Sequence, residues 1–184
     1  ESFGVNVKVV QDLLREVETK QRELHESHLE ILRNQINPHF LYNTLDSIVW
    51  MCKMGKADEA AEMTSALAKL FRVGISRGKK LILVAKEAEH AESYLKIQSM
   101  RFKSKFDYTM DISPEALACR CNKIILQPFI ENSIKHGIIE GEKLHISVKG
   151  RVSAKDLILT VADDGCGMSA EKLEKIRAGN CETM

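Results

Sequence analysis

Three stretches of this 184-residue chain hold side chains whose types and spacing could do chemistry. The first, Gln35-Ile36-Asn37-Pro38-His39-Phe40-Leu41-Tyr42-Asn43, sets an imidazole directly after an Asn-Pro pair. Proline disfavours the α conformation at Asn37 and removes a backbone donor, so a local break is expected there. A neutral imidazole beside such a break can serve as a nucleophile; read by itself, His39 is a polar residue on a helix face. The second stretch, Leu126 to Gly137, places Asn132 three residues before Lys135 and four before His136. That spacing puts an amide, an ammonium and an imidazole on one helix face. An amide oxygen can ligate Mg²⁺ and a lysine can neutralise a phosphate; alternatively the two basic groups only complement a helix C-terminus. The third stretch is Asp163-Asp164-Gly165-Cys166-Gly167-Met168, directly after a predicted strand. Its glycines allow a tight turn and close approach of a ligand. A carboxylate at the strand end can accept from an exocyclic amine such as that of adenine, and a plain surface turn is the competing reading.

The elements that must position these groups follow from periodicity. Phe3, Val10, Val17, Leu24 and Ile31 stand seven apart, with Val7, Leu14, Gln21, His28 and Gln35 four residues on. This heptad predicts a coiled-coil helix whose later seam is polar. Phe40, Leu41, Leu45, Ile48, Val49 and Cys52 continue as a broad apolar helical face, and Gly55 is a plausible stop. A second helix is expected from Ala57 to Ser76, with Ala60, Ala61, Thr64, Leu67, Leu70 and Phe71 inward. One helical hairpin buries little, and two from two chains make a four-helix bundle, so a homodimer through residues 5–76 is expected. Gly74 to Lys80 reads as a hinge. Beyond Leu81, the pattern predicts a helix over Glu87–Arg101, a strand at Phe106–Met110, a helix over Asn122–Gly137, and two strands around Leu144–Val148 and Leu157–Val161 with a turn at Ser153–Lys155. Helices on one side of a mixed sheet, following a helical hairpin, define an α+β fold.

Composition narrows the function. A net charge of +1 gives no strong field for nucleic acid. No apolar run of about 18 residues exists, and no secretory signal opens the chain. The absence of an initiator Met suggests a piece of a longer protein. Cys52, Cys119, Cys121, Cys166 and Cys181 are odd in number and contain no CxxC pair, which suits reduced thiols in a cytosolic compartment. No GxxxxGK[ST] loop occurs.

Taken in order, QINPHFLYN, LQPFIENSIKHG and VADDGCGM closely resemble the sensor histidine kinases of the YesM/LytS type, over essentially the whole chain. The opening Glu1-Ser2-Phe3 and its helix look like the tail of a HAMP linker. The resemblance implies three regions: 1–34, a signal-transmitting coiled-coil helix after HAMP; 35–78, the dimerisation and His phosphotransfer hairpin; and 79–184, an α/β-sandwich ATP-binding domain of the kind shared with Hsp90-like and MutL-like ATPases. It further implies that His39 is phosphorylated, that Asn132 binds the Mg²⁺ of ATP, and that Lys135 and His136 flank the phosphates. Asp163 would recognise adenine, with Gly165 and Gly167 as the glycines of its box.

The activity so implied is autophosphorylation of His39 by MgATP and transfer to an aspartate on a response regulator. The whole protein would be a membrane-anchored homodimer with this portion on the cytoplasmic side. Family members carry a lid and a second glycine box further on; the chain stops at Met184, about where a lid would begin, so the ATP domain is expected to be partial and weakly active or inactive alone. Two other classes are compatible with the residues: a non-catalytic dimeric signalling module, and an ATPase or serine kinase of the same ATP-binding architecture. Many histidine kinases carry an acidic residue just after the phosphoacceptor; here Phe40 follows, which leaves the group that orients His39 unassigned.

Overall fold

A computed structural model describes residues 38–74, 80–102, 105–139, 141–169 and 173–174. The heptad of residues 3–35 lies outside the described residues, as does most of the expected hinge. The chain divides into two compact units, Glu1–Leu45 and Asp46–Met184.

Helix α1 spans Pro38–Lys53. Its first residue is proline, whose missing N–H costs no intrahelical bond at that position. In the first unit, Phe40 and Thr44 are buried, and the Thr44 hydroxyl donates to the Phe40 carbonyl at 2.7 Å. The helix ends in a left-handed glycine cap. Gly55 has φ +74°, its N–H reaches the Cys52 carbonyl, and the Lys56 N–H reaches the Met51 carbonyl at 2.9 Å. That paired pattern satisfies carbonyls the helix leaves open, and it favours glycine at the turn.

Helix α2, Ala57–Gly74, starts at once. Asp58 and Glu59 in its first turn complement the helix dipole. Ala60, Met63, Ala66, Leu67, Leu70 and Val73 form its buried face. Helix α3, Val84–Phe102, packs along this face. Met51, Ala60 and Met63 form one buried cluster with Ile48 and Met100 against it, and Lys96 pairs with Glu62 at 2.6 Å. Fully burying a side chain such as Met63 stabilises by about 1.5–3 kcal/mol. Ala60, Leu67 and Leu70 are buried as expected; Ala61 and Thr64 are exposed, and Met63 and Ala66 take their places. The expected inward face is that of a hairpin in a four-helix bundle, whereas α3 of the same chain packs on the neighbouring stripe.

The rest of the second unit is layered. Strand β1 (Leu81–Leu83) pairs antiparallel with β3 (Arg120–Asn122). Strand β2 (Phe106–Ile112) pairs in parallel with β4 (Leu144–Ser153), and β4 pairs antiparallel with β5 (Asp156–Asp163), giving the order β2-β4-β5. Between β2 and β3, the short helix α4 (Pro114–Ala118) is capped by Ser113, whose hydroxyl accepts from the Ala116 N–H at 3.3 Å. Helix α5 spans Gln127–Gly137. Phe106, Leu144, Ile146 and Val148 are buried under the helices. The alternate residues Asp107, His145, Asp111 and Arg151 face outward, where His145 and Lys143 contact Asp107 and Arg151 pairs with Asp111. The Lys143 ammonium, then His145, holds the Asp107 carboxyl below the usual carboxylate range. The mixed sheet with helices over one face is the expected architecture; β1, β3 and α4 were not anticipated.

Candidate functional site

The site is built on α5, and α5 is set by a buried acid. The sequence pattern extends that helix back to Asn122, but Asn122 ends β3, and Lys123–Leu126 form a turn in which Ile124 adopts φ +60°. That conformation is costly for a β-branched residue. Glu87 of α3, fully buried, accepts from the Ile124 N–H at 2.8 Å and the Leu126 N–H at 2.9 Å. Leu126 is the N-cap and has no side-chain cap of its own, so Glu87 satisfies donors that the helix start leaves open. Pro128 falls in the first turn, where proline fits.

From that start the 3.6-residue period sorts the side chains. Ile130, Ser133, Ile134 and Gly137 are buried, while Asn132, Lys135 and His136 are exposed together. Glu131 faces elsewhere. It accepts from the Gln127 amide at 2.6 Å and lies in hydrogen-bonding reach of the Tyr94 hydroxyl, which also accepts from Gln98 at 2.7 Å. Burial, with the Glu131 carboxylate beside it, pushes the Tyr94 phenol up. Glu131 thus ties α5 to α3.

The glycine-rich turn sits on the C-terminal half of α5. Asp163, exposed at the end of β5, accepts from the Ser133 hydroxyl at 2.7 Å through Oδ2 and from the Gly165 N–H at 3.2 Å through Oδ1. The Cys166 thiol donates to the His136 carbonyl at 3.2 Å. Asp164 turns the other way and accepts from the His145 N–H at 2.7 Å. A Cβ on Gly137 would stand 2.8 Å from Leu144 Cδ1 and 3.4 Å from Asp163 Oδ1. Gly165 is held against the Gly137 backbone, and Gly167, with φ +66° and nothing within 4 Å, answers a backbone demand instead.

Asn132, Lys135, His136, Asp163, Gly165 and Gly167 therefore all belong to α5 or to the turn packed on it. His39 lies in the other unit, exposed on the first turn of α1. The Asn43 amide nitrogen, one turn on, stands 3.0 Å from His39 Nε2 and 3.3 Å from Nδ1. Sequence reasoning missed three supporting residues. Asn43 was visible by its four-residue spacing from His39. Ser133 stood as a hydroxyl in the apolar stripe of α5, and Glu87 as an acid in the stripe Val84, Ala91, Leu95. Among the described residues no group of three or more His, Cys, Asp or Glu side chains could hold a metal, and no helix is long and apolar enough to cross a membrane.

A helix bearing an exposed histidine, followed by an α/β layer with an exposed Asn–Lys helix face and a glycine turn, defines a class that comparison with known proteins identifies. Residues 27–106 match the histidine kinase family, and residues 123–183 match the histidine kinase-, DNA gyrase B- and HSP90-like ATPase family. Both stretches are thus similar to parts of histidine kinases. The chain is 34% identical over 173 residues to the sensor histidine kinase YesM of Bacillus subtilis, covering 94% of this chain and 30% of that protein. It is 29% identical over 167 residues to the sensor protein kinase HptS of Staphylococcus aureus, covering 91% and 32% respectively. The chain thus spans about a third of the length of these relatives. The solved histidine kinase AdeS of Acinetobacter baumannii aligns over 78% of this chain and 73% of its own at TM-score 0.40 and 15% identity, too slight a likeness to argue from.

Proposed function

We propose that this chain is the phosphoacceptor and ATP-binding part of a two-component sensor histidine kinase. A neutral imidazole nitrogen of His39 attacks the γ-phosphorus of ATP, the bond from phosphorus to the bridging oxygen breaks, and ADP leaves with that electron pair. The resulting N–P bond is labile, and the phosphoryl group passes to an aspartate carboxylate of a response regulator. The observation that carries this reading is the packing of the Asp163 turn on α5, which groups an exposed carboxylate with exposed Asn132 and Lys135.

Each side chain has chemistry suited to its role. Asp163 accepts from the adenine amine, Lys135 offsets phosphate charge, and His136 lies beside them. Gly165 and Gly167 let the turn approach nucleotide. The donor set suits Mg²⁺: the Asn132 amide oxygen would hold it, and the ion would supply charge stabilisation on the phosphates.

The partner of α1 is a second copy of the chain. Tyr42, Leu45 and Val49 recur at three- and four-residue spacing and are exposed, as is Trp50. An apolar stripe of this kind is the seam of a helical bundle. The intact protein is then a homodimer anchored to a membrane by segments outside this chain, with this portion on the cytoplasmic side.

The deciding experiment exposes the full-length protein, His39→Gln and Asn132→Ala to γ-labelled ATP. An acid-labile, base-stable label present in the wild type and lost in both variants is expected. A label that survives His39→Gln refutes His39 as the acceptor.

A further inference from the structure

The buried serine and threonine hydroxyls of the described helices share a habit that Ser133 breaks. Thr44 and Ser93 each donate to the carbonyl four residues back in their own helix, as the exposed Thr64 also does. Such back-bonding is the default for a hydroxyl on a helix face. Ser133, only 8% exposed and flanked by Ile130 and Ile134 on the buried face of α5, instead donates across to Asp163 Oδ2 at 2.7 Å, a partner 30 residues away. The Gly165 N–H holds the other oxygen at 3.2 Å. Two fixed donors, one on the helix and one in the turn, leave the carboxylate a single orientation. A hydroxyl has one proton to give, and here it goes to Asp163.

We infer that Ser133 is the positioning residue that sets the nucleobase preference of this site, by fixing Asp163 as an acceptor for a base that presents an exocyclic amine. This rests on the reading of Asp163 as the base-recognising group. Adenine offers an amine where guanine offers a carbonyl oxygen. A carboxylate held in place rewards the first and repels the second. A carboxylate free to rotate away penalises the second less. Ser133 touches Asp163, and its effect on base choice runs through that contact.

The test is calorimetric titration of the full-length kinase with MgATP and with MgGTP, for the wild type, Ser133→Ala and Asp163→Asn, together with the thermal midpoint of each. One hydrogen bond to a charged group is worth about tenfold or more in an equilibrium constant. Ser133→Ala is therefore expected to weaken MgATP by about tenfold and to narrow the ATP-to-GTP ratio. In autophosphorylation the loss should fall on KM more than on kcat. A merely structural serine would lower the thermal midpoint and leave the ATP-to-GTP ratio of the folded protein unchanged, and that result overturns the inference. If Asp163→Asn leaves MgATP affinity intact, the base-recognising role of Asp163 fails, and this inference fails with it. If Asp163→Asn weakens MgATP and Ser133→Ala does not, the inference alone fails.

Discussion

Gly165 and Gly137 meet backbone to backbone: a Cβ on Gly165 would stand 2.5 Å from Gly137 Cα and 2.8 Å from its carbonyl oxygen. Neither contact can yield by a side-chain rotation, because both atoms belong to the end of α5. Gly165→Ala must therefore push the turn off the helix, and overpacking of this kind costs about 1–3 kcal/mol. The expected result in urea unfolding is a lower midpoint, accompanied by weakened ATP binding because Asp163 travels with the turn. A variant that unfolds like wild type would show that the turn can shift at no cost.

Among the described residues, the Asn43 amide lies within hydrogen-bonding distance of the His39 ring. Phe40 leaves the sequence without an acidic neighbour directly after His39, and Asn43 is expected to orient the ring instead. Asn43→Ala should leave the ring free to rotate and slow phosphoryl incorporation by about tenfold, the value of one lost hydrogen bond. KM for ATP should stay unchanged, since Asn43 is none of the proposed nucleotide groups and belongs to a different unit of the chain. Initial rates at saturating ATP, wild type against variant, decide the matter; equal rates exclude Asn43 from orienting His39.

Glu87 is the tie between α3 and the start of α5. Glu87→Ala would strand the Ile124 and Leu126 N–H groups, each unsatisfied buried donor costing about 1–3 kcal/mol, and would release Ile124 from φ +60°. A net loss of about 2–5 kcal/mol is expected in chemical unfolding. Hydrogen exchange should show the earliest loss of protection at residues 124–130.

His90 makes the fold acid-sensitive. It is 3% exposed, its Nδ1 has no partner among the described residues, and burial followed by the Lys123 charge holds it at about 4 against an ordinary 6.5. The unfolded chain binds a proton below its own value while the folded chain refuses it. Stability is therefore full above about pH 6.5 and falls as pH drops toward about 4, by ~3 kcal/mol from this group. His90→Leu should flatten the slope of unfolding free energy between those limits. A slope identical to wild type would assign the acid sensitivity elsewhere.

Trp50, 63% exposed, and Val49, 50% exposed, test the dimer. Trp50→Glu with Val49→Glu places two charges in the proposed seam, and light scattering should report a dimer for the wild type and a monomer for the variant. A persistent dimer would place the interface elsewhere.

How far the sequence could be read depended on where the determining contact lies. The face carrying Asn132, Lys135 and His136 follows from helical spacing alone, and the strands around Ile146 and Leu159 follow from two-residue alternation. The boundary of α5 was misread because it is imposed by Glu87, 37 residues from Ile124. Strands β1 and β3 are three residues each, too short for alternation to show, and exist through pairing with one another. Ala61 and Thr64 are expected inward from spacing but are exposed, because α3 packs on the adjacent stripe. The glycines of the box illustrate the same limit. Their presence was legible, but only the packed chain shows that Gly165 answers to Gly137.

Strand β4 joins two kinds of neighbour, and this orders the assembly of the domain in time. On one side, β5 returns after Ala154 and Lys155, with Ser153 opposite Asp156. Such a hairpin closes in about 1–10 μs. On the other side, Phe106 of β2 must find Leu144, across a crossover that holds α4, β3 and α5. Loop closure of that span is paid before its contacts repay it, which makes parallel pairing slow. On a ribosome, β2 and α3 emerge first and wait with an open strand edge until β4 arrives. The helix bearing Asn132 lies inside that crossover, so the proposed nucleotide-binding face is expected to be among the last parts of the domain to take its final form.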